Sequence, residues 1–211
     1  MATRSDQAAW SAHVATLHPV AEVLHARHGP LRLHSAPAPA DRFATLVRAV
    51  CYQQLAGAAA GAIWSRVVEA AGGEVTPAAL LALGPDALRA CGLSGAKAAT
   101  FLALSEAVEQ GDVRLESTGR MSDEAVVEML TTVRGIGRWT AEMFLLSTLH
   151  RPDVWPTADL GVRTGFGMAF GLDVAPTAGE LEALGEPFRP YRSVIAWWCW
   201  REVDDRRAGP R

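Results

Sequence analysis

Apolar residues recur along this chain every three or four positions, the spacing that places them on one face of an α-helix. The first such pattern predicts an amphipathic helix over residues 6–28, which Gly29-Pro30 ends. Its buried face consists of Trp10, Val14, Leu17, Ala21 and Leu24. β-Branched residues never alternate with polar residues over more than a few positions, so no strand is expected. The chain is therefore predicted to be all-α.

The same spacing predicts about ten short helices in all. Those that bear on function cover residues 43–51, 95–111, 123–132, 139–149, 159–170 and 190–203. Residues 204–211 are expected to form a frayed polar tail. The sequence contains no internal repeat.

Residues 130–159 combine two helical patterns, a tight turn and a lone carboxylate. The turn is Arg134-Gly135-Ile136-Gly137, and Asp159 follows 22 positions after Gly137. Two residues without a Cβ let backbone N–H groups approach an anion closely, and the next helix offers its positive end. The turn is thus suited to bind a phosphate. The alternative is a purely steric turn, since glycine is favoured where two helices join.

Composition and charge limit the partners of the chain. Its 211 residues are 49% hydrophobic, which suits a globular protein with a core. A net charge of −3 and a pI near 6.1 argue against binding nucleic acid by bulk electrostatics, so any contact with nucleic acid would have to be local. Lys97 is the only lysine among 20 basic residues, and Schiff-base chemistry needs a lysine or a free N-terminal amine.

The cysteines and the N-terminus indicate an intracellular protein. Cys51, Cys91 and Cys199 show no CxxC spacing and are expected to be buried thiols. The N-terminus lacks a signal arrangement, and no run of about 18 apolar residues is present to span a membrane. We expect a cytoplasmic protein of bacterial type.

The stretch from the hairpin to Asp159 resembles the helix-hairpin-helix, Gly/Pro-rich loop and Asp of the base-excision DNA glycosylase superfamily. Its GIGRWTA segment is similar to the alkylbase branch of that superfamily. The segments that extend the resemblance are Gln53-Gln54-Leu55, the residues 92–98, Tyr191-Arg192-Ser193, and the tryptophans Trp197, Trp198 and Trp200. The resemblance implies two helical lobes with a cleft for DNA and the base between them. One lobe would be residues 41–150 and the other residues 1–40 with 151–211, without the N-terminal β domain of some larger members.

By this resemblance Asp159 is the catalytic carboxylate, which stabilises charge developing on the sugar and can orient water. Taken alone, Asp159 is only a favoured helix N-cap. Asp153 is a competing acid in the same loop and is expected to be solvated.

The resemblance assigns four residues to the base pocket: Trp139, Met143, Trp197 and Trp200. Trp139 stands where bifunctional relatives have their Schiff-base lysine, and an indole cannot form an imine. The alternative for Trp139 is a core position. Trp198 is expected in the core.

The resemblance also assigns the contacts with DNA. Gln53 and Gln54 would enter the minor groove, and Leu55 would fill the gap left by the extruded nucleotide, although glutamines are also ordinary exposed residues. Backbone contacts are assigned to Arg134, Gly135, Gly137, Arg138, Thr140 and Lys97. A monovalent cation, Na⁺ or K⁺, is assigned to the carbonyls of Thr131, Val133 and Ile136. No other cofactor and no iron–sulfur cluster are expected.

The predicted function is that of a monomeric, monofunctional DNA N-glycosylase of base-excision repair. It would flip alkylated purines such as 3-methyladenine and 7-methylguanine out of double-stranded DNA and hydrolyse the N-glycosidic bond. Two alternatives remain: a bifunctional or oxidised- or deaminated-base glycosylase, and a noncatalytic DNA-structure-binding module. Trp139 disfavours the bifunctional alternative, and a noncatalytic module would not need Asp159.

Overall fold

The computed structural model describes residues 2–55 and 57–208, and within these ranges the chain is all-helical without a strand. The all-α prediction is confirmed. In chain order the α-helices are α1 Arg4–Ala15, α2 Pro19–His28, α3 Arg42–Tyr52, α4 Gly57–Ala70, α5 Pro77–Ala90, α6 Gly95–Glu109, α7 Asp123–Thr131, α8 Arg138–Ser147, α9 Leu160–Ala169, α10 Ala178–Gly185 and α11 Arg192–Ala208. Short 3₁₀ helices cover Pro39–Asp41, Leu115–Arg120 and Glu186–Phe188.

The single helix predicted over residues 6–28 is wrong, because the chain forms two helices there, α1 and α2. Pro19 stands at the first position of α2, where its missing N–H costs nothing. His18, which precedes the proline, has an extended backbone, and its Nδ1 accepts from Val20 N–H at 3.1 Å. A proline inside a helical pattern thus marked a boundary rather than a continuous helix.

The chain divides into two compact units. The first, which we call the hairpin unit, is Pro37–Phe144 and contains α3 to α7 and the first seven residues of α8. The second, the terminal unit, combines residues 1–36 with 145–211 and contains α1, α2, α9, α10 and α11. Both boundaries lie a few residues before those expected from the sequence.

The hairpin unit has its core between α3, α5 and α6. α3 buries Leu46, Val47 and Val50, and α6 buries Phe101 and Leu104. This spacing of three and four is the sequence pattern that predicted both helices.

The terminal unit is built around the contact of α9 with α11. A Cβ at Gly165 of α9 would lie 2.0 Å from the carbonyl oxygen of Cys199, so only glycine allows this close packing. Trp198 is fully buried, as expected, and its Nε1 donates to the Gly29 carbonyl at 2.9 Å. α11 continues to Ala208 instead of ending at residue 203, and the imidazole of His28 faces Asp205 on this extension at 3.6 Å.

Candidate functional site

The predicted hairpin turn connects α7 to α8. Ser122 caps α7, since its Oγ accepts from Ala125 N–H at 3.3 Å. Gly135 has a φ of +91°, and a Cβ there would lie 1.9 Å from Thr100 Oγ1 on α6. Both the backbone conformation and the space therefore require glycine at position 135.

Gly137 differs from Gly135, because a Cβ at this position would meet no atom within 4 Å. The N–H groups of both glycines form no hydrogen bond with any residue that the structure describes. Bonding into α8 begins with Ala141 N–H, which donates to Gly137 O at 3.2 Å. Open amides at a helix N-terminus are suited to bind an anion.

The two arginines of the turn lie in different environments. Arg138 donates to both carboxylate oxygens of Glu124 on α7, at 3.1 and 3.2 Å, and to Glu142 at 3.1 Å. The hydrogen bond with Glu124 raises the pKa of Arg138, and the same bond lowers the pKa of Glu124. Arg134 is exposed and pairs with no acid among residues 2–55 and 57–208. Arg138 therefore links α7 to α8, whereas the side chain of Arg134 is exposed to solvent.

Two further side chains assigned to DNA point into the hairpin unit instead. Lys97 Nζ donates to the carbonyl oxygens of Cys51 at 2.7 Å and Gln53 at 2.6 Å, where it caps the C-terminal end of α3. Thr140 is buried, and its Oγ1 accepts from Gln53 Nε2 at 2.9 Å. The unpaired carbonyls at the end of α3 attract the single ammonium group, so neither side chain supports the predicted phosphate contact.

The turn Gln53-Gln54-Leu55 follows α3 directly. Gln53 is half-buried and tied to Thr140, which differs from the minor-groove role expected for its amide. Gln54 is exposed and has a φ of +56°, a conformation that a residue with a Cβ adopts rarely. Leu55 is 40% exposed. The strained backbone and the exposed apolar side chain suit the wedge role predicted for Leu55.

α8 carries the two remaining candidates of the hairpin unit. Trp139 is 39% exposed rather than a core residue, and Met143 is half-buried. The two residues are four positions apart and therefore share a face of α8.

Asp159 is the N-cap of α9, and its Oδ1 accepts two hydrogen bonds. Val162 N–H donates at 2.8 Å and Trp200 Nε1 at 2.9 Å. The carboxylate is half-buried. The competing acid Asp153 is not solvated as expected, because Arg192 donates to it at 2.8 Å and Arg189 at 2.7 Å. These ion pairs indicate a structural role for Asp153.

Gly161 is a site residue that the sequence interpretation missed. A Cβ there would lie 2.9 Å from Trp200 Cδ1 and 3.0 Å from Asp159 Oδ1, so glycine is needed for the indole to reach the carboxylate. Gly161 and Gly165 stand four positions apart on the face of α9 that meets α11, and this spacing could have revealed the close helix contact. Leu160 was also missed and is 68% exposed beside Asp159.

Trp197 and Trp200 line an open depression of about 600 Å³ in the terminal unit. The other residues of its wall are His28, Arg32, His34, Arg201 and Asp204. The guanidinium of Arg201 lies 5.8 Å from the centre of the Trp197 ring. The tryptophans predicted to hold the base thus lie among basic residues.

The hairpin carbonyls assigned to a cation are partly used by the protein. Val133 O accepts from Ile136 N–H at 3.0 Å, whereas neither the carbonyl of Thr131, at the end of α7, nor that of Ile136, in the turn, accepts a hydrogen bond from described residues outside α7. Backbone carbonyl oxygens are ligands that can coordinate a monovalent cation. Three or more His, Cys, Asp or Glu side chains grouped to hold a metal are absent from residues 2–55 and 57–208.

The three cysteines are free and buried, as expected. Burial raises the pKa of the Cys51 and Cys199 thiols. In the described part of the chain we find no helix with the length and apolar character to cross a membrane.

Comparison with known proteins identifies the family. The sequence profile described as "HhH-GPD superfamily base excision DNA repair protein" matches residues 47–190. The chain belongs to this superfamily. The matched range of this HhH-GPD protein includes the Gln53-Gln54-Leu55 turn, the hairpin and Asp159, and it ends before Trp197 and Trp200. The family predicted from the sequence is confirmed.

Similar proteins cover most of this HhH-GPD chain. DNA-3-methyladenine glycosylase 1 of Schizosaccharomyces pombe is 35% identical over 164 residues, which are 76% of this chain and 72% of that protein. The solved structure of Schizosaccharomyces pombe 3-methyladenine DNA glycosylase in complex with abasic DNA matches with a TM-score of 0.82 and 32% identity, over 91% of this chain and 95% of the other. DNA-3-methyladenine glycosidase from Bacillus halodurans matches with a TM-score of 0.80 and 29% identity, over 98% and 92% of the two chains.

Proposed function

We propose that this HhH-GPD protein is a monofunctional DNA N-glycosylase that releases alkylated purines, such as 3-methyladenine and 7-methylguanine, and leaves an abasic site. The observation that carries the proposal is the pair of donors on one oxygen of Asp159, Val162 N–H and Trp200 Nε1. The similar proteins are named for the same class of hydrolase. The predicted enzyme class is thereby confirmed.

The chemistry requires a carboxylate that faces the sugar. As the glycosidic bond breaks, positive charge develops on the sugar, and the charge of Asp159 stabilises it. Two hydrogen bonds to Oδ1 restrict the rotation of the carboxylate, so its orientation is set before the substrate binds. A purine alkylated at N3 or N7 is already cationic, so it can leave without a general acid.

The monofunctional assignment rests on Trp139 and Lys97, because Schiff-base chemistry needs an amine. Trp139 offers an indole at the position of the Schiff-base lysine of bifunctional relatives. Lys97, the only lysine, is bound by the carbonyls of Cys51 and Gln53. We therefore expect borohydride to trap no covalent complex between the protein and an abasic oligonucleotide. Efficient trapping that survives Lys97→Ala and a blocked N-terminus would contradict the assignment.

Double-stranded DNA with damaged bases is the proposed partner. Support comes from the open amides of Gly135 and Gly137, from Arg134, and from the exposed Leu55. The protein would act as a monomer in the cytoplasm, at the nucleoid. The hairpin would also hold Na⁺ or K⁺ through the carbonyls of Thr131, Val133 and Ile136. Such an ion would add positive charge beside a bound phosphate.

Base release from defined lesions tests the proposal. Duplexes that each contain one lesion, including alkylated, oxidised and deaminated bases, are incubated with the protein, and the free base and the abasic site are measured. We expect release of 3-methyladenine and 7-methylguanine without strand cleavage. Binding without release of any base would instead support the noncatalytic DNA-binding module.

A further inference from the structure

The depression lined by Trp197 and Trp200 lies one side chain away from the proposed catalytic carboxylate. Trp200 Nε1 donates to Asp159 Oδ1 at 2.9 Å, and the same indole forms part of the wall. The depression therefore shares one side chain, Trp200, with the carboxylate site.

Arg32 and His34 reach this wall from the segment 31–34, which two hydrogen bonds hold in place. Leu31 N–H donates to Ser11 Oγ at 2.9 Å, and Leu33 N–H donates to Gln7 Oε1 at 3.1 Å. Ser11 and Gln7 are both buried. Leu31 is buried, whereas Arg32 and His34 are exposed. The position of both basic side chains is thus built into the fold.

The charges around the depression differ in how they are balanced. Arg201 pairs with Asp204, and His28 pairs with Glu202 at 2.6 Å. Arg32 and His34 are exposed and have no acidic partner among residues 2–55 and 57–208. The uncompensated charge at the wall is therefore positive.

A positive wall is unfavourable for a cationic base. A purine alkylated at N3 or N7 would meet Arg32 as a like charge, whereas a phosphate would be attracted to it. The half-buried indoles of Trp197 and Trp200 add a second property, because nucleic acid strands bind where basic groups stand beside aromatic faces. At about 600 Å³ the depression is also open and wide, unlike a slot for one flat ring.

We propose that this depression binds the backbone of the damaged strand beside the extruded nucleotide, with a phosphate on Arg32 and a neighbouring base against Trp197. The inference rests on the proposed glycosylase function and deepens it. Trp197 then belongs to a strand-binding site rather than to the base pocket. Trp200 forms the border between this site and Asp159.

Binding of a duplex with a tetrahydrofuran abasic-site analogue tests the proposal, because this DNA has no base at the lesion. Dissociation constants are measured over a series of NaCl concentrations for the parent and for Arg32→Gln. We expect about eightfold weaker binding at 0.1 M salt and a salt slope smaller by about 0.9, the effect of one lost phosphate contact. The matched control is Arg206→Gln, an exposed arginine on a side of α11 turned by about 120° from Trp200. The control should behave as the parent does.

Trp197→Ala separates a strand site from a base pocket. On the same abasic-analogue duplex we expect at least about fivefold weaker binding, because the lost contact is with a neighbouring base. A base-pocket residue would not change affinity for DNA that lacks the base. Melting temperatures of both variants should remain within a few degrees of the parent.

Equal affinity and equal salt slopes for Arg32→Gln and Arg206→Gln would overturn the strand site, even if the parent releases alkylated purines. If the parent releases no base but Arg32→Gln lowers affinity as expected, the strand site stands and the glycosylase proposal fails. The two proposals can thus be rejected separately.

Discussion

The hairpin turn and the carboxylate site both depend on glycine, but glycine has a different role in each. In the hairpin the glycines themselves present the groups proposed to bind DNA, because the open N–H groups are those of Gly135 and Gly137. In the carboxylate site Gly161 presents nothing and instead leaves space for Trp200 to reach Asp159. A backbone site is encoded in a few consecutive residues, whereas a side-chain site needs residues 41 positions apart to meet. Substitutions in the hairpin should therefore affect stability or DNA binding, whereas substitutions in the carboxylate site should affect catalysis.

The largest effect is expected for a substitution at the carboxylate site, and it should be confined to the rate of base release. Asp159→Asn removes the charge but keeps an Oδ1 that can accept from both Val162 N–H and Trp200 Nε1. Single-turnover release of 3-methyladenine or 7-methylguanine should fall by about 10²–10³-fold. The melting temperature and the affinity for abasic-site DNA should change little, since asparagine is also a good N-cap. Release within about tenfold of the parent, a change of only ~1.4 kcal/mol, would show that Asp159 is not the catalytic group.

Gly135→Ala should give the largest effect in the hairpin. This effect should be on the stability of the protein and not on the rate of base release. The φ of +91° and the 1.9 Å approach of the new Cβ to Thr100 Oγ1 together should lower the free energy of unfolding by about 3 kcal/mol. Denaturant titration measures this loss. In a Thr100→Ala background, part of the loss should be recovered because the oxygen is gone, while the backbone strain remains. No recovery at all would show that the contact with Thr100 is unimportant.

Lys97→Met tests whether the lone lysine serves the hairpin unit or DNA. Loss of the ammonium leaves the carbonyls of Cys51 and Gln53 without their donor, so the free energy of unfolding should fall by about 2 kcal/mol. Chemical denaturation of Lys97→Met and the parent provides the measurement. Unchanged stability together with a salt slope of DNA binding reduced by about 1 would instead restore the phosphate contact expected from the sequence.

Gly161→Ala should weaken catalysis through Trp200 without touching the charge of Asp159. The added Cβ displaces the indole from Oδ1, and loss of one hydrogen bond to a charged group should lower kcat by about tenfold. Trp200→Phe, which keeps an aromatic ring but has no N–H, is the matched variant. The double variant should be no slower than the worse single one, because both remove the same contact. Additive losses in kcat would contradict the positioning role.

Gly137→Ala should give the smallest effect, confined to DNA binding. The new Cβ meets no atom of the protein within 4 Å, so the melting temperature should be nearly unchanged. A methyl group in front of the open amide should weaken binding by about fivefold for all DNA sequences alike, because phosphate contacts carry no base information. Affinities for duplexes of several sequences provide the measurement. Loss of stability without a specific loss of DNA affinity would favour the purely steric turn.

Local signals predicted the elements of the fold well. The helix expected over residues 123–132 is Asp123–Thr131, capped by Ser122, and the one expected over residues 159–170 is Leu160–Ala169, capped by Asp159. These predictions succeeded because caps and apolar periodicity act within one or two turns of a helix. The single helix predicted over residues 6–28 is wrong because the apolar spacing continues across Pro19, where one helix has ended and a second begins.

The partners of polar side chains within the protein were not predicted from the sequence. Arg138, Thr140 and Lys97 were assigned to DNA, yet their polar groups meet Glu124, Gln53 and the end of α3. Glu124, Gln53 and the end of α3 lie 14 or more positions away in sequence, so no pattern within a single helix indicates these contacts; only Glu142, the second partner of Arg138, is four positions away.

The sequence by itself determined the all-α fold, the family, the hairpin turn and the position of Asp159, because these depend on residue types at short, regular spacings. Only the tertiary structure decided which indole holds Asp159, why Gly161 must be glycine, and which basic residues stand beside Trp197. Those contacts form where α9 packs on α11 and where the segment 31–34 is tied to α1. Packing of segments distant along the chain sets the direction of a side chain, and that direction decides whether an arginine or a tryptophan meets a base, a phosphate or another residue of the protein.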